Sequence, residues 1–150
     1  MKTKETEQIK AVIFDMDGVL LDSESVCDRC FEQAAIEQNI ENRKPIIEDA
    51  RGMGKSSFLE FISKTYGNKV DTEKLWNRAS ELFHIIEETE GLNLLYFAKE
   101  ILEYLKPKYK IALASSTRRQ SVERQMKATR IWDFFDVTVC GDDAQNTKPS

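Results

Sequence analysis

Two aspartates near the start of the chain, Asp15 and Asp17, have a spacing that could support metal-assisted chemistry. They are separated by one residue, and they directly follow a short apolar run from Ile9 to Phe14 that predicts a strand buried on both faces of a parallel sheet. Open α/β sheets bind ligands at the carboxyl ends of their strands. Two carboxylates placed there repel each other unless a cation or a proton separates them. The pair therefore suggests a site for Mg²⁺ and an anionic substrate, since Mg²⁺ takes one or two carboxylates together with phosphate oxygens.

The same two residues also suit an ordinary polar turn. Gly18 follows Asp17 directly, and aspartate–glycine pairs are common where a chain turns after a strand. The spacing alone therefore leaves two interpretations open, a metal and phosphate site or a turn without chemistry.

The longer string around the two aspartates resembles the first motif of the haloacid dehalogenase superfamily of phosphotransferases. It is most similar to the branch of β-phosphoglucomutase and phosphoglycolate-type phosphatases, whose motif continues as Asp-Gly-Val-x-x-Asp-Ser/Thr. At these positions the chain has Asp17, Gly18, Val19, Asp22 and Ser23. The resemblance implies an α/β fold, with a Rossmann-like parallel-sheet core, three of whose strands are present, and an α-helical cap inserted after the first strand.

The resemblance also implies roles for both aspartates. Asp15 would be the nucleophile that attacks phosphorus, and Asp17 would be the general acid/base that serves the leaving oxygen. Both carboxylates would also bind Mg²⁺. Haloalkanoate dehalogenases of the same superfamily lack the second aspartate, so the presence of Asp17 favours phosphoryl transfer.

A second apolar run begins at Lys110, predicts another buried strand and ends in the hydroxyl cluster Ser115-Ser116-Thr117. The resemblance makes Ser115 the second motif, whose hydroxyl would donate a hydrogen bond to a phosphate oxygen. Backbone N–H groups at the start of the next helix would support that contact, and Ser116 would be a substrate contact. Such a cluster is also a good helix N-cap, and capping alone would explain Ser116 or Thr117.

Near the end of the sequence, Lys148 is followed by Pro149 and matches the third motif of the superfamily. Its ammonium group would neutralise charge on the phosphate and on Asp15. The segment Gly141-Asp142-Asp143 is similar to the Gly-Asp pair of the fourth motif, but that motif follows the lysine in the family, whereas here the segment precedes Lys148. We therefore expect a variable loop at this segment and not a metal site.

From about residue 24 to residue 95 the apolar spacing predicts helix after helix, without a strand. We expect three segments, with the first strand and nucleophile loop in residues 1–22, a helical cap domain in residues 23–95, and the continued core in residues 96–150. In the family resemblance the cap is mobile. Its closure excludes water from the site, and its opening releases product.

Two residues of the predicted cap bear on substrate choice. Lys55 stands where the mutases of this branch carry an arginine that grips the distal phosphate of the substrate, although a solvated surface charge is the alternative. Cys27 stands where those mutases carry a histidine. In the mutases that histidine helps to control whether the second aspartate is ready to act as the acid/base. The cysteine therefore favours a phosphatase over a mutase.

Cys27 and Cys30 lie three residues apart on a predicted helix, so their thiols share one face. A zinc site would need two more ligands, and none lies at a suitable spacing. A redox pair is possible by spacing, but we expect buried, reduced thiols.

Composition narrows the class of protein. The chain has 150 residues and a formal net charge of −4, with 41% hydrophobic and 32% charged residues, so it gives no support for a nucleic-acid or anionic-membrane partner. Residues 1–8 lack the apolar core of a signal peptide, and no apolar run in the sequence is long enough to cross a bilayer. We expect a cytoplasmic monomer whose partner is a small phosphorylated metabolite.

The combined motifs predict a Mg²⁺-dependent phosphatase that acts on a small phosphorylated metabolite, such as a sugar phosphate. A β-phosphoglucomutase-like phosphosugar mutase is the alternative within enzymes. A non-catalytic relative that only binds a ligand or a partner is a third possibility, because the acidic fourth motif of the family lies beyond the position of Ser150. Relatives continue through further strands at that point, so we interpret the sequence as part of a longer protein.

Overall fold

The computed structural model describes residues 9–143, which contain three strands and five α-helices. The strands are β1 Ala11–Phe14, β2 Lys110–Ala114 and β3 Val137–Val139. The helices are α1 Ser23–Glu37, α2 Lys55–Tyr66, α3 Thr72–Thr89, α4 Ala98–Leu105 and α5 Arg119–Ala128. A short π-helical turn occupies Pro45–Asp49, and 3₁₀ turns occupy Gly67–Lys69 and Trp132–Phe134.

The three strands form one parallel sheet in the order β1-β2-β3. The register places Phe14 opposite Leu113 and Ala114 opposite Val139. Parallel neighbours require crossover connections, which α5 and the preceding helices provide. The predicted α/β fold with a parallel sheet is therefore confirmed, and the carboxyl ends of all three strands meet at one edge.

The chain divides into two compact units, and the sheet lies in the first. This unit consists of the described residues up to Leu21 together with those from Asn93 onward. Its core combines the centre of the sheet with the inner faces of α4 and α5 and the segment after α5. The fully buried side chains there include Leu102, Ile111, Leu113, Val122, Met126 and Ile131.

The first strand is less buried than the sequence predicts. Within the described sheet β1 pairs with β2 alone, and burial alternates along the strand, so that one face is partly covered and the other is exposed. Val12 and Phe14 are half-buried, and the Phe14 ring meets Phe135 edge-on with 6.5 Å between ring centroids. On the opposite face Ile13 is 70% exposed. The prediction of a strand buried on both faces is thus wrong for β1 in the described chain.

The second unit, Asp22–Leu92, consists of helices and the turns that connect them, and it contains no strand. Asp22 and Asp71 cap α1 and α3, because their carboxylates accept hydrogen bonds from the backbone N–H groups of Ser25 and Lys74. Its centre is an aromatic cluster in which ring centroids lie 4.8 to 5.6 Å apart, formed by Phe31, Phe58 and Trp76. Each such pair stabilises a fold by about 0.5–1.5 kcal/mol beyond the area that it buries.

The three cysteines are thiols and form no disulfide. Cys30 and Cys140 are buried as expected for packing residues, whereas Cys27 is half-buried. Burial raises the pKa of the Cys30 and Cys140 thiols, which keeps them in the less reactive protonated form. Among the helices of residues 9–143, none combines the length and the apolar character that a membrane span requires.

One residue at the start of α4 has a strained backbone. Phe97 adopts the left-handed conformation with a φ of 66°, which is rare for a bulky side chain. Its ring is 75% exposed and therefore gains little from burial. The backbone at this position favours glycine over phenylalanine.

We predict that Phe97→Gly raises the free energy of unfolding by about 0.5–1 kcal/mol. The left-handed conformation costs a non-glycine residue about 1–2 kcal/mol, whereas the extra unfolded-state freedom of glycine costs about 0.5–1 kcal/mol. Urea unfolding measures the difference. Tyr96→Gly is the matched control, since Tyr96 is 96% exposed and has no positive φ, and it should lower stability. A Phe97→Gly protein less stable than the unmodified chain would contradict the strain.

At the opposite edge from the carboxyl ends, Asp136 joins the beginnings of β2 and β3. Its carboxylate accepts hydrogen bonds from the Ile111 N–H at 2.9 Å and the Lys106 Nζ at 3.2 Å. Its own N–H donates to the Ile111 carbonyl at 2.8 Å. The backbone hydrogen bond from Ile111, aided by Lys106, holds the pKa of Asp136 below its usual range.

This lowered pKa predicts a loss of stability in acid. A carboxyl whose folded pKa is depressed contributes stability above its ordinary pKa of about 3.9, and that stability is lost as the pH falls through the folded value. The urea midpoint should therefore fall between about pH 5 and pH 3, and the fall should be smaller in Asp136→Asn. Asp133→Asn, a substitution in the neighbouring turn, is the control. Its urea midpoint should fall with pH by as much as that of the unmodified chain. If the urea midpoint fell equally in all three proteins, Asp136 would not be the source of the acid sensitivity.

Candidate active site

The carboxyl-terminal edge of the sheet brings together residues that lie far apart in the sequence. Asp15 directly follows β1 and Ser115 directly follows β2, and these two strands are neighbours in parallel register. The Ser115 N–H donates to the Val139 carbonyl at 3.0 Å, which ties the end of β2 to β3. The predicted nucleophile and the predicted phosphate-binding hydroxyl therefore follow adjacent strand ends.

A tight turn after β1 holds the two aspartates. The Met16 carbonyl accepts hydrogen bonds from the N–H groups of Leu20 at 2.9 Å and Leu21 at 3.1 Å. Met16, Leu20 and Leu21 are all buried, so the turn is anchored by its apolar side chains. Asp15 is exposed and Asp17 is half-buried on either side of Met16. The turn thus keeps both carboxylates out of the apolar core.

Each aspartate has one oxygen fixed by a hydrogen bond. The Met16 N–H donates to Asp15 Oδ1 at 2.9 Å, and the Thr117 hydroxyl donates to Asp17 Oδ2 at 2.9 Å. The Thr117 N–H in turn donates to Ser115 Oγ at 3.1 Å. A continuous set of hydrogen bonds therefore joins Asp17, Thr117 and Ser115.

The hydroxyl cluster does not cap the helix that follows it. The N-cap residue of α5 is Arg118, and neither Ser116 nor Thr117 supplies a capping side chain, so the capping interpretation is wrong for both. The N–H of Arg119 donates instead to Asp142 Oδ1 at 2.9 Å. Asp142 comes from the segment after β3. A residue distant in the sequence therefore caps α5, where the sequence had suggested Ser116 or Thr117.

The segment after β3 has a structural use for both of its acids. Asp143 accepts a hydrogen bond from the Cys140 N–H at 2.8 Å and pairs with the Arg119 guanidinium. The guanidinium, together with the backbone hydrogen bond, holds the pKa of Asp143 below its usual range. Asp142 and Asp143 therefore fasten the start of α5 to the end of β3.

Gly141 in the same segment permits a close approach that the sequence did not reveal. Its N–H donates to the Thr117 carbonyl at 2.9 Å. A Cβ atom at this position would lie 2.2 Å from the Ser116 carbonyl oxygen, closer than real Cβ contacts allow. The sequence shows only that a glycine directly follows an apolar run. It does not indicate that the backbone of Ser116 lies against this glycine.

The remaining predicted site residues lie elsewhere. Lys55 belongs to the helical unit, where it is the first residue of α2 and its Nζ lies 2.9 Å from Glu73 Oε2. It therefore forms a surface ion pair in which both side chains are exposed to solvent. Ser116 is exposed, and Lys148 lies outside the described residues.

The donors present fit Mg²⁺ in part. Asp15 and Asp17 supply two carboxylates, the number that Mg²⁺ takes when phosphate oxygens complete its coordination. Within residues 9–143, no group of three or more His, Cys, Asp or Glu side chains could hold a metal. The described residues thus fit an ion that the substrate helps to bind, and they do not form a complete protein cage.

Comparison with known proteins identifies relatives over nearly the whole chain. The model of the family described as haloacid dehalogenase-like hydrolase matches residues 12–150. The chain is 30% identical to a phosphorylated carbohydrates phosphatase of Thermotoga maritima, over 94% of this chain and 65% of that protein. It is 28% identical to the pyrophosphatase PpaX of Bacillus mycoides, over 95% of this chain and 64% of that protein. The chain therefore spans about 65% of the length of these relatives.

A solved structure shows the same arrangement of elements. A candidate β-phosphoglucomutase from Thermotoga maritima superposes with a TM-score of 0.71 at 29% identity, covering 95% of this chain and 66% of that one. The likeness extends through both the sheet-containing unit and the helical unit, because nearly all of the chain is aligned.

We predict that Gly141→Ala destabilises the chain by about 1–3 kcal/mol, the usual range for overpacking a well-packed site. The added methyl group must displace the Ser116 backbone or the segment after β3. Urea unfolding measures the change. Gly54→Ala is the control, since nothing lies within 4 Å of a Cβ built there, and it should be clearly milder. Equal stability of the two variants would show that the close approach does not exist in solution.

Proposed function

The chain belongs to the haloacid dehalogenase-like hydrolases, and from this premise we propose that it is a Mg²⁺-dependent phosphatase acting on a small phosphorylated metabolite. The observation that carries the proposal is the placement of Asp15 and Ser115 after paired parallel strands, with Asp17 joined to Ser115 through Thr117. A phosphoryl group at this edge would meet a nucleophile, an acid and a hydroxyl donor together. Such positioning is the main source of catalysis in phosphoryl transfer.

In the proposed reaction Asp15 attacks phosphorus in line with the leaving oxygen. A bond forms between an Asp15 carboxylate oxygen and phosphorus, while the bond from phosphorus to the substrate oxygen breaks. Asp17 donates its proton to that departing oxygen, which leaves as an alcohol. The product on the protein is an aspartyl-phosphate, and forming it divides one difficult displacement into two easier ones.

The second step returns the protein to its starting state. Asp17, now a carboxylate, accepts a proton from a water molecule that attacks the phosphorus of the aspartyl-phosphate. The bond to Asp15 breaks, inorganic phosphate leaves, and Asp17 is protonated again. A single residue therefore serves as acid and then as base, as general acid–base catalysis allows.

Charge on the transferring group is offset by three contributors. Ser115 would donate a hydrogen bond to a phosphate oxygen, and the proposed role of the Lys148 ammonium group is to neutralise charge on the phosphate and on Asp15. Asp15 would hold Mg²⁺ together with Asp17, the latter through an oxygen that does not carry the transferred proton, and the ion would supply electrostatic stabilisation of phosphate charge when bound. The helical unit Asp22–Leu92 acts as the mobile cap whose closure excludes water.

The substrate class follows from the relatives and from two residues of this chain. One relative is named for phosphorylated carbohydrates and another for pyrophosphate, which supports a small phosphorylated substrate. Lys55 and Ser116 are the proposed substrate contacts. Likeness to a candidate β-phosphoglucomutase supports the mutase as a second candidate, but Cys27 replaces the histidine of the mutases and favours hydrolysis.

We predict that Asp15→Asn lowers phosphate release from sugar phosphates at least about 1,000-fold, since a neutral amide is a poor nucleophile and each factor of ten corresponds to about 1.4 kcal/mol of barrier. The assay uses the purified full-length protein with and without Mg²⁺, and release should require the ion. Asp133→Asn, outside the candidate site, should retain activity. Full activity of Asp15→Asn would contradict the mechanism.

The same assay separates the alternatives. A mutase would convert one sugar phosphate into its isomer with little free phosphate. A protein that only binds its ligand would do neither with any substrate of the panel, and the phosphatase proposal would then fail.

A further inference from the structure

We propose that Thr117 is a positioning residue that orients Asp17 for proton donation to the leaving group. This inference rests on the proposed function and adds a residue to which the sequence gave no role beyond capping. It comes from the hydrogen bond between Thr117 Oγ1 and Asp17 Oδ2, 2.9 Å long, between side chains 100 positions apart in the chain.

The backbone of Thr117 is fixed on both sides. Its N–H donates to Ser115 Oγ at 3.1 Å, and its carbonyl accepts from the Gly141 N–H at 2.9 Å. The side chain is β-branched, which restricts rotation about χ1. A hydroxyl carried on such a restrained residue has a defined direction, and here that direction is toward Asp17.

The hydrogen bond constrains the acid in turn. A carboxyl group with one oxygen held at a fixed point can rotate less, so its other oxygen is presented in a narrower range of directions. A general acid must lie within hydrogen-bonding distance of the atom that it protonates, and small misplacements reduce the rate strongly. Thr117 therefore couples the orientation of Asp17 to the phosphate-binding segment at Ser115.

The dependence on the leaving group distinguishes this role from a structural one. An alkyl phosphate, such as a sugar phosphate, releases a basic alkoxide and needs the proton from Asp17. An aryl phosphate, such as p-nitrophenyl phosphate, releases a stable phenolate and needs that proton far less. Loss of an oriented acid should therefore slow the first substrate class much more than the second.

The test compares kcat/KM for both substrates, because this constant includes only the steps up to the first phosphoryl transfer. Thr117→Val keeps the shape of the side chain and removes the hydroxyl. We expect kcat/KM to fall about 10- to 100-fold for the alkyl phosphate and less than about 3-fold for the aryl phosphate, within the usual contribution of general acids. Thr117→Ser, which restores the hydroxyl, should recover most of the loss.

A matched substitution outside the site is available at Thr129, whose hydroxyl donates to the Gln125 carbonyl at 2.9 Å. Thr129→Val should leave the ratio of the two constants unchanged. Equal falls for both substrates in Thr117→Val, or no fall for either, would overturn the positioning role while leaving the phosphatase in place. An unmodified full-length protein that hydrolyses neither substrate would overturn the proposed function and the role of Thr117 together.

Discussion

The in-register parallel pairing of β1 with β2 is the constraint on which the candidate site depends. It sets Phe14 opposite Leu113. It thereby fixes the relative positions of Asp15 and Ser115, which follow the two strands. A slip of one residue would turn every side chain of a strand to the opposite face of the sheet. Backbone hydrogen bonds of the sheet thus determine the geometry of side chains that lie outside it.

Features encoded by neighbouring residues could be predicted from the sequence. The order of strands and helices followed from apolar spacing. The caps of α1 and α3 are local as well, since Asp22 and Asp71 stand directly before the helices that they cap. The exposed face of β1 could not be predicted in the same way. An apolar run shows that a strand suits burial, but which elements cover its two faces depends on other parts of the chain. Ile13 is the residue where this limit is visible.

The parts of the site that escaped prediction all join distant segments. Asp142, from the segment after β3, caps α5, and Gly141 allows the Ser116 backbone to lie close to it. The Thr117 hydroxyl donates a hydrogen bond to the Asp17 carboxylate. Threonine, aspartate and glycine each have several common structural roles, and the local sequence favours the role that involves neighbouring residues. Only the fold decides which role applies. The motif string could nominate Asp15, Asp17 and Ser115 because the resemblance carried long-range information that spacing lacks.

The discontinuity of the sheet-containing unit has a consequence for synthesis on the ribosome. The helical unit, Asp22–Leu92, is continuous in sequence, so its contacts can form as soon as it has emerged. β1 is made first but lacks its partner until β2, which begins at Lys110, has been translated. The pairing of β1 with β2 therefore cannot form until the whole helical unit has been synthesised. The helical unit can therefore form its contacts before the sheet does, although the residues of β1 are synthesised first.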